Sequence, residues 1–125
     1  MYGTNKAYYL NVDLDFKDFN FNNVSDRSFS GVLEGNYHTI QNINIDDEYG
    51  GIFSKIDNSQ ISNIKIVDSS FRGTLASGSI AGFADNSKIL GIYNTSKIFG
   101  LDAAGGVIGL GIDTNFSESY NGGNI

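Results

Sequence analysis

His38 is the only histidine in the 125-residue chain. Imidazole chemistry, whether a His-ligated metal or a Ser-His-Asp relay, would therefore rest on that one side chain, and no His-Glu-x-x-His pair accompanies it. Its plainer reading is a turn residue within Gly35-Asn36-Tyr37-His38-Thr39. Asp13 and Asp15 stand two residues apart, so in a strand both project to one face, where they could hold Ca²⁺ or form a carboxylate pair. Asp46-Asp47-Glu48 places three carboxylates in an expected turn ahead of Gly50-Gly51, suited either to a hard cation or to simple solvation. Asp13, Asp15, Asp46 and Asp47 are thus the metal candidates. No cofactor other than Ca²⁺ is indicated.

Other residues that could do chemistry are few. Arg27 and Arg72 are the basic residues nearest turns, and a polysaccharide-cleaving site would pair such a group with acids. Neither falls at a spacing that brings it beside an Asp, so no catalytic residue is nominated. Gly105-Gly106-Val107-Ile108-Gly109-Leu110-Gly111 carries neither the dinucleotide fingerprint nor a following Lys-Ser or Lys-Thr, and the nucleotide reading fails. Tyr8, Tyr9, Phe16, Phe19 and Phe21 crowd the N-terminal part. Inward rings would fill or cap a core, and outward ones would stack on sugar faces or a protein partner.

Charge and composition narrow the field further. Eight Lys and Arg against 14 Asp and Glu give a net charge of −6, which opposes any partner held through its phosphates. Nucleic acid and anionic membrane surfaces are poor partners for such a chain. There is no Cys, hence no disulfide framework, no thiolate nucleophile and no Cys-ligated zinc. No apolar run approaches the roughly 20 residues that span a bilayer, so membrane insertion is not expected. Met1 to Ala7 lacks a basic segment followed by an apolar stretch, so no signal peptide is read there. The two ends would suit a piece of a longer chain. Residues 1–125 are read as one domain, since a chain of this size supports a single core.

The elements that must position these residues are repeats. Ile40-Gln41-Asn42-Ile43-Asn44-Ile45 recurs 21 residues later as Ile61-Ser62-Asn63-Ile64-Lys65-Ile66, and in degraded form as Ile89-Leu90-Gly91-Ile92-Tyr93-Asn94 after another 28. Asp57-Asn58-Ser59 and Asp85-Asn86-Ser87 precede the last two copies at equal distance. Ser70-Phe71-Arg72-Gly73 aligns with Lys97-Ile98-Phe99-Gly100 at 27 residues. The segments beginning Gly50-Gly51-Ile52-Phe53, Gly78-Ser79-Ile80-Ala81 and Gly105-Gly106-Val107-Ile108 follow one another at 28 and 27.

These segments are too short for helices, alternate apolar with polar or small residues, and are separated by Gly, Asn, Asp and Ser. The expected fold is all-β: a parallel β-helix, or β-solenoid, of about four to five coils with three short strands per coil, stacked at about 4.8 Å. Ile40, Ile61 and Ile89 are expected to form one inward ladder, and Ile43, Ile64 and Ile92 another. Ile45 and Ile66 would form a third, ending at Asn94. Gly31, Gly35, Gly51, Gly82, Gly106 and Gly109, with Asn42 and Asn63, are read as structural turn and ladder positions. An uncapped solenoid end exposes unpaired backbone, so end-to-end self-association is expected.

From Tyr9-Leu10-Asn11-Val12-Asp13-Leu14-Asp15-Phe16, through Phe29-Ser30-Gly31-Val32-Leu33-Glu34-Gly35-Asn36-Tyr37-His38-Thr39-Ile40-Gln41-Asn42-Ile43, to Gly50-Gly51-Ile52-Phe53, the chain resembles the opening of GLUG-motif repeat regions. The likeness runs from about Tyr9 to about Gly111. Glu34 stands where that pattern has Asp, Tyr37 stands where it has Gly, and the final repeat lacks a clear Ile-x-Asn-Ile block. The resemblance implies a right-handed β-helix-like segment of bacterial secreted or surface-attached proteins, among them adhesins and the N-terminal parts of IgA-cleaving metallopeptidases. It further implies a non-catalytic stalk, scaffold or adhesive surface whose partner is a host or surface protein or a glycan. The rival readings are a polysaccharide-active β-helix enzyme, which would gather acids and bases on one outward face, and a carbohydrate-binding module, which would line up exposed Tyr or Phe.

Overall fold

Four corners of the chain share one local device. Asn58, Asp68, Asn86 and Asp113 adopt left-handed φ of 49°, 50°, 47° and 49°, a conformation Asn and Asp tolerate better than most residues. Each is followed by Ser or Thr, whose hydroxyl turns back to the carbonyl two residues earlier: Ser59 to Asp57, Ser69 to Val67, Ser87 to Asp85 and Thr114 to Ile112, at 2.9–3.0 Å. The corner backbone is thereby satisfied by its own side chains. Between such corners the chain runs as strands, and it winds into a parallel β-solenoid of about four turns. The computed structural model describes residues 6–21, 26–117 and 119–122. Met1 to Asn5 and the final Gly123-Asn124-Ile125, read above as chain ends, lie outside them.

The first turn contributes β1 (Lys6–Tyr9) and β2 (Leu14–Asp15). The second holds β3 (Gly31–Gln41), β4 (Asn44–Gly50) and β5 (Phe53–Asp57), and the third β6 (Gln60–Val67), β7 (Ser70–Ser77) and β8 (Ala81–Asp85). In the fourth, β9 (Lys88–Asn94) is followed by a split middle strand, β10 (Lys97–Gly100) and β11 (Ala103–Ala104), and by β12 (Ile108–Ile112). β13 (Asn115–Ser117) and β14 (Tyr120–Asn121) begin another coil. Three sheets result. The first stacks β1 and β2 on β3, then β6, β9 and the β13–β14 pair; the second stacks β4, β7 and β10–β11; the third stacks β5, β8 and β12.

Inward residues stack in register. Leu33 lies over Ile61 and Ile89, Ile45 over Phe71 and Ile98, and Phe53 over Ala81 and Ile108, all buried. The 27- and 28-residue relations expected from the sequence hold in these ladders. The 21-residue relation does not. Ile40 pairs with Ile66, and Ile61 pairs with Leu33 and Ile89; Ile64 faces His38 and Ile92, and Ile45 faces Phe71. The expected ladders Ile40–Ile61–Ile89, Ile43–Ile64–Ile92 and Ile45–Ile66 are therefore corrected, although Asn94 does follow Ile66. The cause is local. In both blocks the Asn is left-handed, but Asn42 (φ 62°) turns the corner between β3 and β4, whereas Asn63 (φ 59°) makes a kink inside β6. One pattern, an inward Ile on either side of a left-handed Asn, serves two different bends.

The two ends of the stack differ. At the N-terminal end Phe16, Phe19 and Phe21 pack with ring centroids 4.6–5.9 Å apart and, with Leu10, Leu14 and Ile43, surround an apolar cavity of about 240 Å³. At the other end β10, β11 and β12 pair on one side only among the described residues.

Candidate functional site

The solenoid's regularity is broken in β3. Glu34 pairs with Ser62 and His38 with Ile64, so three residues of β3 face the single Asn63 of β6. One coil further on, Gly91 alone (φ 69°) faces Asn63. The second coil thus carries a two-residue insertion that the next two lack. Gly35 begins it, pressed so closely on β6 that a Cβ would collide with the carbonyl of Asn63 and the side chain of Ile64. Asn36 (φ 51°) and Tyr37 (φ 63°) then take consecutive left-handed conformations, the backbone of a type I′ turn, for which Asn-Gly is the preferred pair. With Tyr in the Gly position the Cβ opposes the fold, at a cost of about 1–2 kcal/mol. Tyr37 is 70% exposed, and it stands where the resemblance called for Gly.

Carboxylates hold the insertion in place. Glu34 accepts from Asn36 N at 2.7 Å, Ser62 Oγ at 3.0 Å and Asn63 Nδ2 at 3.1 Å, and Asn36 Nδ2 donates to the Leu10 carbonyl at 2.8 Å. Asp13 Oδ1 accepts the backbone N–H of Thr39 at 2.9 Å and lies 3.0 Å from His38 Nδ1, which donates when it carries a proton. Asp15 is placed one corner away, accepting from Asn42 Nδ2 at 2.9 Å and Lys17 N at 3.0 Å. The spacing was read as placing both on one face of a strand, but Asp13 precedes β2, and the two carboxylates serve different turns of the coil below.

The same contacts set the acid response. The Thr39 N–H, then the His38 ring, hold Asp13 below its ordinary 3.8, and Asn42 and the Lys17 N–H do the same for Asp15. Burial works to raise Glu34, but the donors from Asn36, Asn63 and Ser62 outweigh it and leave it below 4.5. A carboxyl with a lowered folded value takes up its proton in the unfolded chain first, so its contribution is complete above the ordinary value and is lost as pH falls through the folded one. The thermal midpoint is expected to stay level from neutrality to about pH 5 and to drop below about pH 4. A midpoint that rises on acidification, followed by circular dichroism, would contradict this assignment.

The remaining candidates are dispersed. Asp46-Asp47-Glu48 is not a turn but lies within β4, where the ladder with β7 continues through Asp46 and Arg72 and slips after Asp47. Arg72 sits over the Phe99 ring at 4.5 Å, and Asp47 Oδ2 lies 3.4 Å from Arg27 Nη2. Among the described residues no three His, Asp or Glu side chains come together as a metal would require. Asp15 lies in the first sheet with Asp13 just ahead of its strand, and Asp46 and Asp47 lie in the second.

The expected structural positions have distinct tasks. Gly31 and Gly51 have φ of 141° and 144°, Asn42 and Asn63 are left-handed, and Gly82, Gly106 and Gly109 lie where a Cβ would meet Ala76 O, the Asn121 side chain and Ser77 N. Of the crowded aromatics, Tyr8, Phe16 and Phe21 pack on the core, while Tyr9 (62%) and Phe19 (52%) remain exposed. Tyr37 was not among the sequence candidates. Its signal was the Tyr that replaces an expected Gly. Comparison with family models, curated proteins and solved structures finds no match to this chain.

Proposed function

We propose that the chain is a non-catalytic repeat segment of a bacterial secreted or cell-surface protein, acting as a stalk that also carries an adhesive surface for a glycan or a host protein. The observation that supports this reading is the insertion in β3, which carries an exposed Tyr37 on a strained backbone. Insertions in repeat proteins collect on one face, often the binding face, and strain of this kind persists where something other than stability selects it. The bacterial surface setting rests on the GLUG resemblance.

The test is a glycan array probed with the whole chain, with and without Ca²⁺, beside a reducing-sugar assay on the polysaccharides it captures. Binding without sugar release is the expected result, and capture that does not depend on Ca²⁺ fits the separate duties of Asp13, Asp15, Asp46 and Asp47. Released sugar would replace this reading with the polysaccharide-active enzyme.

A further inference from the structure

We infer that Asn115 is a glycosylation site, its side-chain amide accepting an N-linked oligosaccharide from a polyprenyl-diphosphate donor. This rests on the bacterial secreted setting proposed above, which supplies the donor and its transferase. Asn-x-Ser/Thr occurs three times in the chain, at Asn23, Asn94 and Asn115. A bacterial oligosaccharyltransferase also asks for an acid two residues ahead of the acceptor. Only Asn115 has one, in Asp113-Thr114-Asn115-Phe116-Ser117, whereas Phe21 and Ile92 hold that place before Asn23 and Asn94. Asn23 lies outside the described residues.

The fold separates the other two. Asn94 is 0% exposed in β9, between β6 and β14, and its amide is committed. Its Nδ2 donates to the Gly106 carbonyl at 3.0 Å and to Asn121 Oδ1 at 2.7 Å, and its Oδ1 accepts Ser96 N at 3.0 Å. Asn115 is exposed at the head of β13, and among the described residues nothing bonds its side chain. β13 pairs only with β9 among those residues. One edge of its backbone is therefore open for a transferase to hold as an extended peptide. Asn115 also lines a polar groove of about 550 Å³ with Asn58, Gln60, Asn86, Lys88 and Asp113. These amides, the ammonium and the carboxylate offer donors and acceptors to the hydroxyls of the first sugars. In the transfer Nδ2 attacks the anomeric carbon and the N–C bond forms. The C–O bond to the diphosphate breaks, its electron pair leaves on the phosphate oxygen, and one amide proton passes to the transferase. The bulky, hydrophilic product shields an open strand edge.

The experiment adds the purified whole chain to membranes holding a bacterial oligosaccharyltransferase and its lipid-linked oligosaccharide, beside a reference acceptor protein, and reads the tryptic peptides by mass spectrometry. Trypsin leaves Asn94 on Ile89–Lys97 and Asn115 on Ile98–Ile125. The glycan mass is expected on the second peptide and not on the first, and is expected to be lost in Asn115→Gln and in Asp113→Asn. Asn tolerates the left-handed φ of 49° that Asp113 adopts, and both substituted side chains are exposed. Both variants should therefore melt with the wild type, so the loss cannot be laid to unfolding. A bare second peptide beside a modified reference, or a glycan that survives either substitution, would overturn the site. Neither outcome bears on the glycan array, which judges the adhesive reading separately.

Discussion

Arg27→Met is expected to cost about 3 kcal/mol of stability and to loosen the N-terminal coils first. Arg27 is 6% exposed. Its Nη1 donates to the carbonyl of Gly51, its Nη2 to that of Tyr49 at 2.6 Å, and Asp47 completes the ring of acceptors. Burial lowers the pKa of Arg27, and Asp47 offsets part of that effect. The reason an Arg is needed lies in the stack. Among the described residues β4 pairs only with β7, so its upper carbonyls face no strand of the first coil. A guanidinium presents several donors in one plane and meets acceptors that a single strand would otherwise have met.

Exchanging a buried ion pair for apolar residues is often harmless, but here the acceptors are backbone and remain after the substitution. One buried and one part-buried carbonyl left without donors, at about 1–3 kcal/mol each, set the magnitude. Because each coil contacts only its neighbours, the loss should be uneven. Amides of β3, β4 and β5 are expected to exchange faster while those of β9 and β12 keep wild-type protection, and Arg27→Lys should recover part of the loss. A variant with unchanged exchange in β3 to β5 would show that Arg27 does not cap the stack.

Phe71→Ala is expected to cost about 3–5 kcal/mol, the usual range for a large aromatic removed from a closed core. Phe71 is fully buried in the third coil, in register with Ile45 above and Ile98 below. Truncating it opens a void on both inter-coil contacts at once, so the damage reaches coils on either side. With total stabilities of about 5–15 kcal/mol for domains of this kind, the melting transition should fall by roughly 10–20 °C and lose sharpness. Phe71→Leu keeps most of the volume and should cost under about 1.5 kcal/mol. The control is Leu101→Ala, since Leu101 is 72% exposed at the far end of the stack. If Phe71→Ala melted within a degree or two of that control, the central ladder would not be carrying the coil contacts.

Much of the fold was legible because its corners are local chemistry. An Asn or Asp followed by Ser or Thr can close a bend within three residues, and that signal stands in the sequence at 58–59, 86–87 and 113–114, and also at 68–69. The 27- and 28-residue spacings were legible because like residues stack when the coils share one perimeter. The misaligned Ile block shows the limit. A left-handed Asn between two Ile looks the same whether the chain turns a corner, as at Asn42, or kinks and continues, as at Asn63. Only the pairing of Ile40 with Ile66 and of Ile61 with Leu33 distinguishes them. Asp13 and His38 were each legible as single residues, while their meeting across 25 positions was not.

By itself, then, the amino-acid order determined that this chain is all-β, that it repeats, which residues face inward and where Gly, Asn and Asp bend the backbone. Those are matters of conformational preference and side-chain alternation, decided within a few residues. The tertiary structure decided the register between coils, the two-residue surplus that displays Tyr37, the carbonyls that Arg27 covers and the partner of His38. Register depends on the summed packing of every ladder around the perimeter. No short stretch of sequence contains that sum, because the residues it adds together lie 25 to 28 positions apart.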